Sequence, residues 1–264
     1  MWSNCLAGWL LAGGRGWDRF VVLCGAATLL YLGGMFLNDA FDVEFDRKYR
    51  PERPIVSGRI RSRTVWLLGA AWLTIGWLAA VGLGGSSWVP GTVLVLAIVT
   101  YDACHKHFSL APWPMAGCRF LVYLLAGTAA RTGIGPAVVL PALALAVYVL
   151  GLSYIARVER TSGSLRRWPW SLLIAPAALS LLTHGESGAL IWATVAMQTG
   201  WLCWCFTGRT VPSLRFFRTG VSGLLAGIAL VDLVAAIPAG APAIPPFVVL
   251  FLLALALQRF APAT

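Results

Sequence analysis

Charge is what this sequence has least of. Only 11% of its 264 residues are Asp, Glu, Lys or Arg, against about 25% in soluble domains. Ten residues are acidic and three are His. The deficit runs the whole length, with a mean hydropathy of +0.78. That excludes an ordinary water-soluble domain and implies an integral membrane protein. No polar tail or soluble insertion interrupts the chain, and no internal repeat is evident. CxxC is absent, and Cys203 and Cys205 are too close for a relaxed disulfide, so the six Cys read as free thiols. Cys104, His105 and His107 match no common zinc spacing. P-loop, GxGxxG and HExxH patterns are missing too. Residues 1–14 have neither a basic start nor a clear cleavage site, so no cleavable signal peptide is expected.

Apolar residues are what the chain has instead, at 59%, with thirteen Trp suited to membrane interfaces. Apolar stretches run 2–14, 18–38, 64–84, 87–101, 113–130, 136–156, 168–183, 187–207, 219–237 and 243–260. Most approach the ~20 residues a spanning helix needs. Gly and Pro punctuate the gaps, as in "GLGGSS" and "IPAGAPAIPP". The reading is an all-α, multi-pass membrane protein with one domain over 1–264. Gly223 and Gly227 form a GxxxG that reads as helix packing.

The net charge of +10 is not spread evenly. Sixteen of the twenty Lys and Arg fall in the regions 39–63, 101–119, 157–167 and 207–218. Pairs of apolar stretches separate these regions, so they share one face, which the positive-inside rule makes cytoplasmic. The charge therefore reports topology and a lipid bilayer as partner. It does not point to nucleic acid.

Half of the acidic residues lie in one short stretch, "NDAFDVEFDRKYRPERP", at the end of the second apolar run. At about 100° per helical residue, with Asn38 at zero, Asp42 falls at about 40°, Asp46 at about 80° and Asp39 at about 100°. Glu44 falls at about 240°, on the opposite side. Four oxygen ligands thus share one face. Clustered carboxylates repel one another and, at a helix C-terminus, oppose its dipole. A hard cation relieves both. Mg²⁺ takes one or two carboxylates together with substrate phosphates.

"NDAFDVEFD" followed by "RPERPIVSGRI" resembles the first aspartate-rich motif of the UbiA superfamily of intramembrane prenyltransferases. "YDACHKH" and "SLAPWPMAGCRFLVYLLAG" are similar to that family's fourth and fifth helices, and the "RPERP" spacing is most like its EboC branch. The resemblance implies about nine transmembrane helices around a central cavity. It implies Mg²⁺ held by Asn38, Asp39, Asp42 and Asp46, gripping an isoprenyl diphosphate whose chain passes to a small acceptor. Asp39, Asp42 and Lys106 are the expected catalytic groups. Arg53, His105 and Lys106 are candidates to stabilise the leaving diphosphate. Tyr101, Tyr123 and Tyr154 are candidates to shelter the allylic cation. Arg119 either faces the diphosphate or snorkels. The active site is expected on the cytoplasmic side.

The chain departs from the family at the second motif, DxxxD. Its place reads "SYIARVERTSGS", where Glu159 is the sole carboxylate and Arg157 and Arg160 flank it. Direct contact of Arg157, Arg160 or Lys106 with diphosphate is the expected substitute for a second metal group. The family's first helix begins further upstream, so part of that span is expected to be missing. Asn4 contributes a polar group to it or sits at the interface. Asp232, inside an apolar run, costs about 2.5–3.5 kcal/mol at a helix centre; it either serves the cavity or is a satisfied packing acid. The second functional reading is a non-catalytic, transport-associated protein binding an isoprenoid or lipid-like metabolite. A CDP-alcohol phosphotransferase is excluded by the absence of a DGxxAR pattern.

Overall fold

The computed structural model describes residues 1–104, 112–130, 132–160, 168–184, 188–210, 220–240 and 243–258. Among these residues every regular element is helical. In order they are α1 (Trp2–Leu11), α2 (Trp17–Phe41), α3 (Val43–Tyr49), α4 (Ser62–Gly82), α5 (Trp88–Cys104), α6 (Pro112–Ala129), α7 (Pro136–Arg160), α8 (Trp168–Leu172), α9 (Ala175–His184), α10 (Ala189–Thr210), α11 (Val221–Ala236) and α12 (Ile244–Leu257). A 3₁₀ turn, Ile237–Ala239, follows α11.

Helix boundaries follow local chemistry. α6 and α7 open on Pro112 and Pro136, where the missing N–H costs nothing because the first helical N–H groups have no intrahelical partner. The 168–183 stretch divides into α8 and α9 at Leu173 and Ile174, whose N–H groups bond to Trp170 and Ser171 three residues back. Pro176 follows in the first turn of α9, where a proline is tolerated. α1 turns back into α2 through Gly13 and Gly16, both at positive φ.

α2, α4, α7, α10 and the α11 segment through Ala239 are long and apolar enough to cross a bilayer, by length and composition; α5 and α12 are shorter apolar helices. α1, at ten residues, rises about 15 Å, half of a ~30 Å hydrocarbon core.

Large apolar side chains point outward, among them Trp17, Val21, Leu67, Leu182 and Leu257. Polar ones point inward: Asn4, Asp46, Asp102, Gln198 and Asp232 are all buried. This arrangement suits a bundle solvated by lipid, where polar groups must find partners inside.

With little hydrophobic drive between helices in lipid, close approach at small residues holds the bundle together. A Cβ on Gly33 of α2 would lie 2.7 Å from the Leu73 side chain of α4, and one on Gly76 of α4 would lie 2.9 Å from the Leu30 backbone. α1 lies against α6 at Gly8, where a Cβ would stand 2.9 Å from the Tyr123 carbonyl. The GxxxG of α11 also packs helices. Gly227 fits against Trp201 and the Tyr148 hydroxyl, and Trp201 Nε1 donates to the Gly223 carbonyl at 2.9 Å.

Candidate active site

The acidic stretch spans the junction of α2 and α3. α2 stops at Phe41 and α3 starts at Val43, so Asp42 is the joint. Its N–H still bonds to the Asn38 carbonyl at 3.0 Å, and the Asp46 N–H to the Asp42 carbonyl at 2.8 Å. Helical bonding thus carries the rotational phase across the joint. Asn38 and Asp42 are half-buried, Asp46 is 4% exposed, and Glu44 is exposed.

Asp39 departs from the single-face expectation. It is exposed and its Oδ1 meets Arg53 Nη1 at 3.5 Å, a rim ion pair. It remains close enough to Asp46 and Asp42 for their charges to act on it. The reason is rotational. Asp39 sits at the edge of the acidic arc, and Arg53 on the following turn draws it outward.

Facing this stretch is Asp102, two residues before the end of α5. Asn38 Nδ2 donates to Asp102 Oδ1 at 3.3 Å, and Asp102 is 4% exposed. Gly34 makes the approach possible: a Cβ there would lie 2.9 Å from Ile98 and 4.0 Å from Asp102 Oδ2. Sequence reasoning passed over Asp102 while selecting its neighbour Tyr101. The signal was present, since Asp102 is the lone carboxylate between Glu52 and Glu159.

The remaining expected residues are dispersed. Tyr101 is half-buried near the end of α5. Tyr154 of α7 is half-buried, with its ring 5.0 Å from that of Trp168. Arg157 is exposed in the last turns of α7. Glu159 and Arg160 lie on the helix, but their side chains are outside the description, and His105, Lys106 and His107 lie outside the described residues altogether. Tyr123 is fully buried and its hydroxyl is committed to Asp232, which leaves its ring no open face toward a substrate.

A second polar group lies deeper. Asp232, fully buried on α11, accepts from Asn4 Nδ2 at 2.7 Å and from the Tyr123 hydroxyl at 2.6 Å. Ser3 hydrogen-bonds the same carboxylate. Asn4 Oδ1 in turn accepts from Arg119 Nη1 at 2.7 Å. α1, α6 and α11 meet at these side chains. Asp232 is thus a satisfied acid, one neutral amide away from a cation.

Do the acidic residues suit Mg²⁺? Among the described residues no group of three or more His, Cys, Asp or Glu stands close enough to hold a metal. The donor chemistry nevertheless fits. All the groups are hard oxygen donors, and Asp46 Oδ1 is buried without a hydrogen-bond partner. One or two carboxylates completed by phosphate oxygens is the usual Mg²⁺ arrangement. Such a set needs no preformed three-residue cage.

Three comparisons place this architecture. The chain is 38% identical over 63 residues to the digeranylgeranylglyceryl phosphate synthase of Ignicoccus hospitalis, covering 24% of this chain and 21% of that protein. It is 28% identical over 123 residues to the 4-hydroxybenzoate octaprenyltransferase of Burkholderia mallei, covering 46% and 42%. The matches therefore span less than half of either curated relative. The solved apo structure of a UbiA homologue from Aeropyrum pernix K1 superposes with a TM-score of 0.66 at 16% identity, over 98% of this chain and 97% of that one. At that identity the likeness shows the fold. The model of the UbiA prenyltransferase family matches residues 1–216, a range that holds the acidic junction and Asp102. With an all-helical fold of the same type and most of its length matched, the chain belongs to the UbiA prenyltransferase family.

Proposed function

We propose that this protein transfers an isoprenyl group from its diphosphate to a small acceptor within the membrane, in a Mg²⁺-dependent reaction. One observation carries the reading: Asn38 and Asp42 from the α2–α3 junction stand within hydrogen-bond and electrostatic reach of Asp102 from α5, with buried Asp46 one turn further on, at one end of an apolar bundle. Buried acids are too costly at such a place to serve packing alone. The similarity to a 4-hydroxybenzoate octaprenyltransferase supports prenyl transfer as the reaction class.

Asn38, Asp42 and Asp46 are the proposed Mg²⁺ ligands, with Asp39 at the rim beside Arg53 adding negative charge next to them. When bound, the ion neutralises charge on the leaving diphosphate and templates its position. Asn38 fixes Asp102 through its amide, holding that carboxylate toward the acidic face. Arg53, at the rim beside Asp39, and Arg157, at the end of α7, are proposed to meet diphosphate oxygens, with His105, Lys106 and Arg160 as further contacts. In the reaction the allylic C–O bond breaks and its electron pair leaves with diphosphate. A nucleophilic atom of the acceptor bonds to the freed carbon, and the acceptor gives up a proton. Tyr101 and Tyr154 are the proposed aromatic faces for the transient cation. Glu159, flanked by Arg157 and Arg160, is a poor second metal site, so these cations are proposed to replace it. The basic loops, and with them this end of the bundle, are proposed to face the cytoplasm.

The reduced second motif favours one other reading, a carrier that binds an isoprenoid without converting it. Purified protein in lipid, given labelled isoprenyl diphosphates and a host extract with and without Mg²⁺, separates the two. Mg²⁺-dependent loss of donor with release of diphosphate supports transfer. Donor bound but recovered unchanged supports the carrier.

A further inference from the structure

We infer that Asn4 and Asp232 are positioning residues that hold the Arg119 guanidinium inside the bundle and available to the diphosphate. The inference deepens the prenyl-transfer reading and rests on it. Asp232 lies beyond residues 1–216, the part matched by the family model, so membership in the family does not assign it a role.

Place along the bundle comes first. α5 ends at Cys104 and α6 begins at Pro112, so those two ends lie together, and Asp102 sits among them. Arg119 is seven residues into α6, about 10 Å along its axis. Helical side chains tilt toward the N-terminus of their helix, which for Arg119 is the acidic end. Cys118, its neighbour, lies within electrostatic reach of both Arg119 and Asp102. A half-buried guanidinium therefore stands inside the bundle, in the half of α6 nearer its N-terminus.

The hydrogen bonding explains how it is held. All three side-chain donors to Asp232, Ser3, Asn4 and Tyr123, are neutral. Positive charge reaches this acid from the Arg119 guanidinium. Asn4 stands between acid and guanidinium, donating to one at 2.7 Å and accepting from the other at 2.7 Å. A direct carboxylate pair would engage the planar fork bidentately and cancel its charge. The amide spacer takes one Nη and leaves the rest of the fork for an anion. The buried carboxylate, one amide away, still offsets the cost of an arginine at this depth. Gly8 sets the register, because only a residue without Cβ lets α1 lie on the Tyr123 backbone and bring Asn4 over Arg119.

The test measures binding of inorganic pyrophosphate, in Mg²⁺, to the full-length protein in lipid, with thermal melting read in parallel. Asn4→Asp places a carboxylate directly on Arg119. It also faces Asp232 across the former 2.7 Å hydrogen bond, so a lower melting temperature is expected, and it should weaken pyrophosphate by about tenfold or more. The double variant Asn4→Asp/Asp232→Asn restores the original number of carboxylates and should remain equally weak, since the acid's position is what matters. A second measurement needs no substitution: pyrophosphate should slow modification of Arg119 by an arginine-directed dicarbonyl, followed by mass spectrometry on the wild-type chain. Unchanged affinity in a folded Asn4→Asp protein, or Arg119 modified at the same rate with and without pyrophosphate, overturns the inference. If wild-type binding is Mg²⁺-dependent and lost in Asp42→Asn while those two results hold, the prenyl-transfer reading survives and the positioning role alone fails. If wild-type protein does not bind pyrophosphate, both fail.

Discussion

Asp102 and Glu44 show what decides a carboxylate's role in this protein. Both are acids near the same end of the bundle, yet one is buried against Asn38 and the other is exposed. The account predicts that Asp42→Ala abolishes Mg²⁺-dependent pyrophosphate binding, whereas Glu44→Ala leaves the affinity within about twofold, or ~0.4 kcal/mol. Isothermal titration in lipid nanodiscs checks both, and equal losses would remove the case for an inward acidic face. Asp102→Ala is expected to weaken binding by about tenfold or more, ~1.4 kcal/mol, because it also releases Asn38. The rim pair Arg53–Asp39 is exposed on both sides, so its contribution to stability should be under about 1 kcal/mol. Arg53→Ala should therefore leave the melting temperature almost unchanged while lowering diphosphate affinity. The inward set of Asn38, Asp42 and Asp46 was legible from helical spacing alone. Asp39 was not, because its orientation depends on Arg53, fourteen residues away. Asp102 was overlooked because its partner is set by the packing of α5 on α2, which no local pattern encodes.

At the scale of helices, glycine contacts fix the geometry of the site. α2 and α4 interlock through Gly33, Gly69 and Gly76, each closely faced by a leucine of the other helix. Gly69→Leu would force the Leu37 side chain and backbone apart, one residue before Asn38. Overpacking of this kind typically costs about 1–3 kcal/mol. The expected result is a lower melting temperature together with weaker pyrophosphate binding. A lost melting temperature with intact binding would mean that α2 does not set the acidic face. Most helix positions follow directly from the apolar stretches, since each of the ten contains a helix. The α8–α9 division and the joint at Asp42 were less legible. Each is a break of a residue or two whose cause, a proline in the first turn or a local change in backbone angles, leaves apolar periodicity unchanged.

For the whole molecule, the sidedness of charge makes the broadest claim. The loops that hold most of the Lys and Arg alternate with pairs of apolar helices. Single cysteines introduced at Arg50, Arg166 and Arg215 in a background lacking the native cysteines should all resist an impermeant thiol reagent in intact cells and react after lysis. Labelling of any one from outside contradicts the shared cytoplasmic face. Membership in the family was readable from the acidic stretch and its Arg-Pro tail. A diphosphate bound as proposed would meet one aspartate motif without the usual second. The account answers with Asp102 opposite the first motif and with cations near Glu159 and at Arg119. The most direct test is a structure of the protein in lipid with a non-hydrolysable isoprenyl thiodiphosphate and Mn²⁺, whose anomalous scattering marks each ion. The account predicts metal on the Asn38, Asp42 and Asp46 face, bridged to diphosphate, with arginines completing the charge and no ion on Glu159. A metal ion seated on Glu159, or diphosphate bound away from the acidic face, would contradict it.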